Sequence, residues 1–388
     1  MPRRLTRRSF LALWGGALAG GLLAACGGED STQEAAASTP TPASTPTQAA
    51  SSSDASPAPA TTPTPVATPT VQQATRTLRV TTIGAVSDAG IFIAMEQGYF
   101  QEVGIEIELD TAARTAGETI PLLSTQQLDI SGGSFSAALL NAVAQGVRVP
   151  AVATKGSLSR GFGFHAIGVP KHRYDDGTIT TVADLRGKKF AVTNDSGIDI
   201  LEAKRVLESG GLTLDDVEIV VMRVPDMPAA LQNEAIHAAE LVEPTAAIAI
   251  DQLGVAAPLL RGDSLVDVIG DDFPIAGIFF GPHIAEDRDL AVRWMVAYLR
   301  GLQFYNDGLQ DPEQRKRVIE ILKLYTPVQD DALFDRMVWP GLRADGRFDT
   351  TPLEQVQEIW LARGAIQQTV PVDQLVDFSY IEEAMQQL

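Results

Sequence analysis

From Thr77 onward the chain alternates short β-branched runs with segments of helical period, and no other feature restricts its fold as much. "TLRVTTIG" alternates as a strand does. "GIFIAMEQGYFQEVG" then carries Ile91, Ile93, Ala94 and Phe100 near helical spacing and closes on glycine, which predicts a helix starting near Ser87 to Gly90. "IEIELD" predicts the next strand, "AGETIPLLSTQQ" a helix, "LDISGGS" a short strand, "FSAALLNAVAQG" a helix and "VRVPAVAT" a strand. "HAIGVP" is a further strand and "KHRYDDG" a polar crossing. A second alternating set follows. "TVADLRG" places Asp184 in a short helical turn. "KKFAVT", "VEIVVMRV" and "IHAAELV" are strands, separated by the helices "SGIDILEAKRVLESGG" and "MPAALQNEA". "PTAAIAIDQLG" is a helix with Pro244 in its first turn, and "PIAGIFFG" is one more strand. From Glu286 the chain is helical, with the amphipathic runs "DLAVRWMVAYLRGLQFYNDG" and "LEQVQEIWLARGAI". Such alternation calls for mainly parallel sheets covered on both faces.

The two sets echo each other. "LSTQQLDIS" from Leu123 and "LQNEAIHAA" from Leu231 each place an apolar residue five positions on, Leu128 and Ile236, followed by Asp129 or His237. Each precedes a strand, which suggests two related lobes.

The 388 residues carry a formal net charge of −19. An acidic balance of that size argues against nucleic acid as a partner and against adhesion to anionic lipid. His165, His172, His237 and His283 are scattered, with no close pair at metal-ligand spacing, so no metal is expected. There is no G-x-S-x-G, no P-loop and no dinucleotide fingerprint, so neither an enzyme nor a cofactor is expected.

Ahead of the folded part, Arg3, Arg4, Arg7 and Arg8 form a basic head, and Phe10 to Ala25 form an apolar run rich in glycine and alanine. A spanning helix needs about 20 apolar residues for a hydrocarbon core of about 30 Å. Residues 1–25 therefore read as an export signal. "TRRSFL" resembles a twin-arginine signal, with general secretion as the alternative. The single cysteine, Cys26, follows Leu23-Ala24-Ala25, which resembles the bacterial lipoprotein box, where the thiol is alkylated and becomes the first mature residue. One cysteine forms no disulfide within the chain. Acyl chains contribute roughly 0.8 kcal/mol per buried methylene, so several of them anchor a protein without a spanning helix. Residues 26–76 are rich in Pro, Ser and Thr and read as a disordered, semi-rigid tether.

"LRVTTIGAVSDAGIFIAMEQGYFQEVGIEIEL", "TVADLRGKKFAVTNDSG", "DMPAALQNEAIHAAELVEP" and the helical tail resemble the extracytoplasmic solute-binding proteins of ABC importers. More narrowly, they are similar to the group handling thiamine-pyrimidine precursors, riboflavin, nitrate and alkanesulfonates. The resemblance runs from about Thr77 to Leu388. It implies an α/β, two-lobe periplasmic-binding-protein type II fold with a helical C-terminal region. Lobe one would be 77–170, lobe two 171–272, and 273–388 would return to lobe one and supply the C-terminal helices. The chain departs from the group where Gln126 and Glu234 replace glycines and where His237 replaces an aspartate.

Ligands of such folds sit outside the carboxyl ends of parallel strands, where loops and helix N-termini converge. In lobe one that rule marks Ser87, Asp88 and Phe92, then Arg114, then Ser134 and Phe135. In lobe two it marks Asn194, Asp195, Ser196, Asp199, Asp226 and Glu243. Ser87, Ser134 and Ser196 also suit helix caps.

Acids outnumber cations in these loops, and Phe92, Phe135, Phe162 and Phe164 offer flat faces for a heterocycle. That ranks riboflavin first and the thiamine pyrimidine precursor second. The alternative is a sulfonate- or nitrate-type oxyanion, with Arg114, Lys155 and Arg160 as candidate cations. The expected partners are a small-molecule ligand, permease and ATPase subunits, and the membrane through the lipid on Cys26. The expected location is the extracytoplasmic face of the cell membrane, and the chain is expected to be monomeric. The fold family implied by the resemblance includes a thiamine-pyrimidine synthase with a cysteine-rich motif, which one cysteine does not supply. A ligand-sensing surface lipoprotein without transport is a further alternative.

Overall fold

The computed structural model describes residues 75–111 and 116–388. The export signal, Cys26 and the tether up to residue 74 lie outside the described residues, and Arg76, expected at the end of the tether, already begins the first strand. The described residues contain ten strands: β1 (Arg76–Thr81), β2 (Ile105–Asp110), β3 (Ile130–Ser134), β4 (Ala151–Leu158), β5 (His165–Pro170), β6 (Lys189–Val192), β7 (Glu218–Val221), β8 (Ala238–Val242), β9 (Ala256–Arg261) and β10 (Phe273–Phe280). They form two five-stranded sheets, ordered β2-β1-β3-β10-β4 and β7-β6-β8-β5-β9.

The two sheets share one topology. β1 pairs in parallel with β2 and β3, as β6 does with β7 and β8. The fourth strand of each sheet, β10 or β5, runs antiparallel to both neighbours. β5 is the strand by which the chain enters the second sheet, and β10 the one by which it returns to the first.

This pairing moves the expected lobe boundary. His165–Pro170 was expected at the end of lobe one, yet as β5 it lies in the second sheet between β8 and β9. An apolar strand looks alike in either lobe, and only its partners, Ala239–Val242 and Ala256–Arg261, assign it. β9 and the helix Asp263–Ile269 are elements that the periodicity did not single out. β4 runs later than "VRVPAVAT", from Ala151 to Leu158, and is buried throughout.

The crossing at 159–164 is tied down at close quarters. A Cβ on Gly163 would stand 2.5 Å from the carbonyl oxygen of Gly262, so only glycine fits there. Gly161 N donates to Asp263 Oδ1 at 2.7 Å, and the Arg160 guanidinium meets Asp267 at 2.5 Å.

Two buried regions cover the first sheet. On one side Trp294, from the long helix Arg288–Gln310, packs on Phe100, Phe280 and Tyr298 with ring centroids 5.6, 5.4 and 5.0 Å away. Aromatic pairs of this kind contribute about 0.5–1.5 kcal/mol each beyond area burial. The other region joins the lobes, with Phe135, Phe279 and Phe348 in one cluster with Ile198, Ile200 and Leu201. The C-terminal helix Thr351–Ala362 also reaches lobe two, where Trp360 Nε1 donates to the Gly197 carbonyl at 3.3 Å. Among the described residues no helix is long and apolar enough to cross a membrane.

Candidate ligand seam and the buried cluster beneath it

The carboxyl ends of β3 and β6 face each other where the lobes meet. Ser134 ends β3, and Ser136 precedes the helix Ala137–Ala144. Opposite, the turn 194–197 leads into the helix Asp199–Ser209. Backbone bonds join the two: Ala137 N donates to Ser196 O and Ile198 N to Phe135 O, both at 2.9 Å. The turn is shaped by its own side chains. Asn194 Oδ1 accepts from Ser196 N at 2.9 Å, and Asp195 Oδ1 accepts from Ser196 Oγ at 3.2 Å. Ser134 Oγ donates to Asp199 Oδ2 across the seam at 3.5 Å. Ser134, Asn194, Asp195, Ser196 and Asp199 are thus brought together. Ser136, which the sequence did not single out, joins them with a buried hydroxyl that has no hydrogen-bond partner among the described residues.

Under the first lobe's side lies a buried ion pair. Lys155 Nζ stands 2.8 Å from Asp88 Oδ1 and donates to Ser87 Oγ at 3.2 Å, and both charged side chains are enclosed. Asp88 Oδ2 also accepts from Ala85 N at 2.8 Å. Lys155 is therefore neutralised by a neighbour, and Arg160 is likewise paired, with Asp267. Neither stands ready as the counter-charge of an oxyanion.

Several sequence expectations change. Phe92 is not a ligand face: it is fully buried and stacks on Tyr325 with centroids 4.6 Å apart. Phe135 is core as well, edge-on to Phe279 at 5.6 Å and tilted on Phe348 at 5.1 Å. Phe164 is buried against His165. Flat apolar rings fill a core as readily as a pocket, and here the core takes them. Glu243 has both oxygens engaged, with Oε2 accepting from Ala247 N at 2.9 Å and Oε1 from Arg261 at 3.0 Å. It is a strut, not a free acceptor. Asp226 is exposed in the turn after the edge strand β7, and no hydrogen bond joins it to the seam among the described residues. Arg114 lies outside the described residues.

Beneath the seam lies a cluster that the sequence analysis missed. His165 at the start of β5, Glu202 on the helix Asp199–Ser209 and Glu240 in β8 are all fully buried. His165 Nδ1 is 3.0 Å from Glu202 Oε2 and 3.3 Å from Glu240 Oε1. Burial alone would lower the histidine, but the Glu202 and Glu240 carboxylates outweigh it and raise its pKa to about 10. Burial raises Asp199 to about 7, helped by nearby Glu240. Burial also pushes Glu240 up, with Glu202 adding to it. Asp199 connects the cluster to the seam, accepting from Thr193 Oγ1 at 2.8 Å while its other oxygen faces Ser134. The available signal was an acid on the apolar side of two core elements, Glu202 three places after Asp199 and Glu240 inside "HAAELV".

A family profile described as NMT1/THI5 like matches residues 86–314, more than half of the chain. The chain belongs to that family. No curated protein matches the sequence. Among solved structures, this NMT1/THI5-like chain is similar to the alkanesulfonate-binding protein SsuA from Xanthomonas axonopodis pv. citri bound to MOPS. The identity is 18%, over 78% of this chain and 98% of that one, with a TM-score of 0.60. The periplasmic nitrate-binding protein NrtA from Synechocystis PCC 6803 is 15% identical over 81% of this chain and 89% of that one, with a TM-score of 0.63. The ligand-binding component of an ABC-type import system from Staphylococcus aureus, with zinc bound, is 14% identical over 80% and 99%, with a TM-score of 0.62. At these identities the likeness is one of fold. The NMT1/THI5-like chain has their α/β, two-lobe periplasmic-binding-protein type II fold.

Proposed function

We propose that the protein is the extracytoplasmic solute-binding component of an ABC import system, taking a small oxyanion of sulfonate or nitrate type. The observation that carries this reading is the seam, where two lobes of one topology meet at the carboxyl ends of β3 and β6. A ligand held between such lobes makes contacts in the closed form that the open form lacks, which is what a capture-and-release receptor needs. No chemical step is required, and the protein is read as a receptor and not an enzyme.

The oxyanion is favoured over a vitamin heterocycle for two reasons. The helices Ala137–Ala144 and Asp199–Ser209 both start at the seam, where helix N-termini favour negative charge, and the unpartnered Ser136 hydroxyl adds a donor. The heterocycle reading leans on four aromatic faces, of which Phe92, Phe135 and Phe164 are spent in the core and Phe162 alone stays half-exposed. The names of the sulfonate- and nitrate-binding structures of like fold agree with this order. With Lys155 and Arg160 paired, Arg114 is the cation assigned to the ligand. Riboflavin or a pyrimidine stands second, favoured by the buried acid Asp199 facing Ser134.

The protein is further read as lipid-anchored through Cys26, with a permease and an ATPase as partners. The experiment is mass spectrometry of small molecules released from the protein purified out of its native membrane. A retained sulfonate or inorganic oxyanion is the expected result; a retained flavin or pyrimidine overturns the choice of ligand.

A further inference from the structure

Three elements aim metal-ligating groups at one point beneath the seam. His165 stands at the start of β5, Glu202 on the helix Asp199–Ser209 and Glu240 in the middle of β8. One ligand atom from each lies within 4.8 Å of the others. The separations from His165 Nδ1 are 3.0 Å to Glu202 Oε2 and 3.3 Å to Glu240 Oε1. Ligands bonded at about 2.1 Å around a tetrahedral ion stand roughly 3.4 Å from one another, so this spacing fits a coordination shell as well as it fits the hydrogen bond between His165 and Glu202.

The second observation is Glu240 itself. It is fully buried in this cluster, and apart from the His165 imidazole 3.3 Å from Oε1 and the nearby Asp199 carboxyl, neither carboxylate oxygen has a well-aligned hydrogen-bond partner among the described residues. Buried carboxylates are ordinarily paired or bound to a metal, because taking a bare charge out of water is strongly unfavourable. The one imidazole does not balance the acids around it: Glu202 and Glu240 already outnumber it, and Asp199 adds a third carboxyl close by. Either protons on Glu240 and Asp199, whose pKa values burial raises, or a bound cation supplies the balance.

We propose that His165, Glu202 and Glu240 form a binding site for a divalent first-row transition ion such as Zn²⁺ or Mn²⁺. One imidazole nitrogen with carboxylate oxygens suits such an ion, whereas Ca²⁺ takes about six to eight oxygen ligands. Asp199 separates the site from the seam and touches Ser134 of the other lobe, so the ion supports the turn 194–197 from below. The site is independent of which solute the seam takes.

The test uses the full-length, detergent-solubilised protein, stripped with EDTA and dialysed against Zn²⁺ or Mn²⁺. Bound metal is counted by plasma mass spectrometry and stability is followed by thermal melting. The expected result is one ion per chain and a raised Tm. Glu240→Gln keeps the shape and removes the charge. It should lower metal affinity by at least about 10- to 100-fold, while its Tm without metal stays at or above that of the unsubstituted protein. Failure to bind either ion stoichiometrically overturns the proposal, as does equal binding by Glu240→Gln. Should that variant not fold, X-ray absorption of the metal-loaded unsubstituted protein decides. One imidazole with carboxylate oxygens is expected; a shell of two or more imidazoles overturns the assignment.

Discussion

Gln126 in the first lobe and Glu234 in the second hold the same position in their lobes, each with a left-handed backbone, at φ 59° and 57°. Each ends a helix in the same way. Gln126 N donates to Leu123 O and Gln127 N to Leu122 O, just as Glu234 N donates to Leu231 O and Ala235 N to Ala230 O. Three residues on, Asp129 Oδ2 accepts from Arg79 N at 2.6 Å, and His237 Nδ1 accepts from Lys189 N at 3.3 Å. The histidine does for β6 what the aspartate does for β1. This is the physical content of the faint sequence echo between the lobes.

A left-handed backbone costs a side-chain-bearing residue about 1–2 kcal/mol, and glycine returns about 0.5–1 kcal/mol of that as unfolded-state entropy. Gln126→Gly is therefore expected to stabilise the protein by up to about 1 kcal/mol in urea denaturation. Glu234→Gly should gain less, since the Glu234 carboxylate also holds His172 and Arg173 at 2.6 and 2.8 Å. A less stable Gln126→Gly protein contradicts this reading.

Lys155→Met tests the buried pair beneath the seam. Its stem packs on Gly132, where an added Cβ would meet Lys155 Cδ at 2.9 Å, so methionine suits the space. The substitution strands the Asp88 carboxylate in the interior, an expected loss of about 3–5 kcal/mol. Adding Asp88→Asn should recover much of it. If the double variant is no more stable than Lys155→Met alone, the two residues are not an isolated pair.

The sequence showed the alternation of strands and helices, since periodicity is local, and with it the two-lobe fold. It did not show which sheet takes β5, because strand pairing is not local. "TKGSL" at the end of β4 looks like a loop, yet Lys155 is buried there because Asp88, far off in sequence, neutralises it. The strand-end rule singled out Ser134, Asn194, Asp195, Ser196 and Asp199, which the structure brings together, and also Phe92 and Phe135, whose neighbours are core. His165, Glu202 and Glu240 carry no spacing signal, since they meet only through the second lobe's fold.

The acid limb of stability should carry the mark of Asp129. Burial would raise this carboxyl, but hydrogen bonds from Arg79 and His283 outweigh it and hold it below its ordinary value. A lowered native pKa gives stability that is present above the unfolded value, about 4, and is lost as pH falls through the native one. Asp129→Asn should therefore be about 1–2 kcal/mol less stable at neutral pH. Urea melts across pH should show the gap closing below about pH 4. A gap that stays constant in acid contradicts the assignment.

Cys26→Ala tests the anchor. Membrane fractionation should find the variant released or held as an uncleaved precursor, without labelled palmitate. A variant that still fractionates with membranes and carries the label contradicts lipidation at this thiol.

Calorimetric titration of the full-length protein with taurine, nitrate and riboflavin separates an oxyanion receptor from a heterocycle receptor. Reversible one-to-one binding of a sulfonate or nitrate is expected, lost in Arg114→Ala, weakened in Ser136→Ala, and with the ligand recovered unchanged. Tight binding of riboflavin with no response to either anion contradicts the choice of ligand, and chemical conversion of any of the three contradicts the receptor itself.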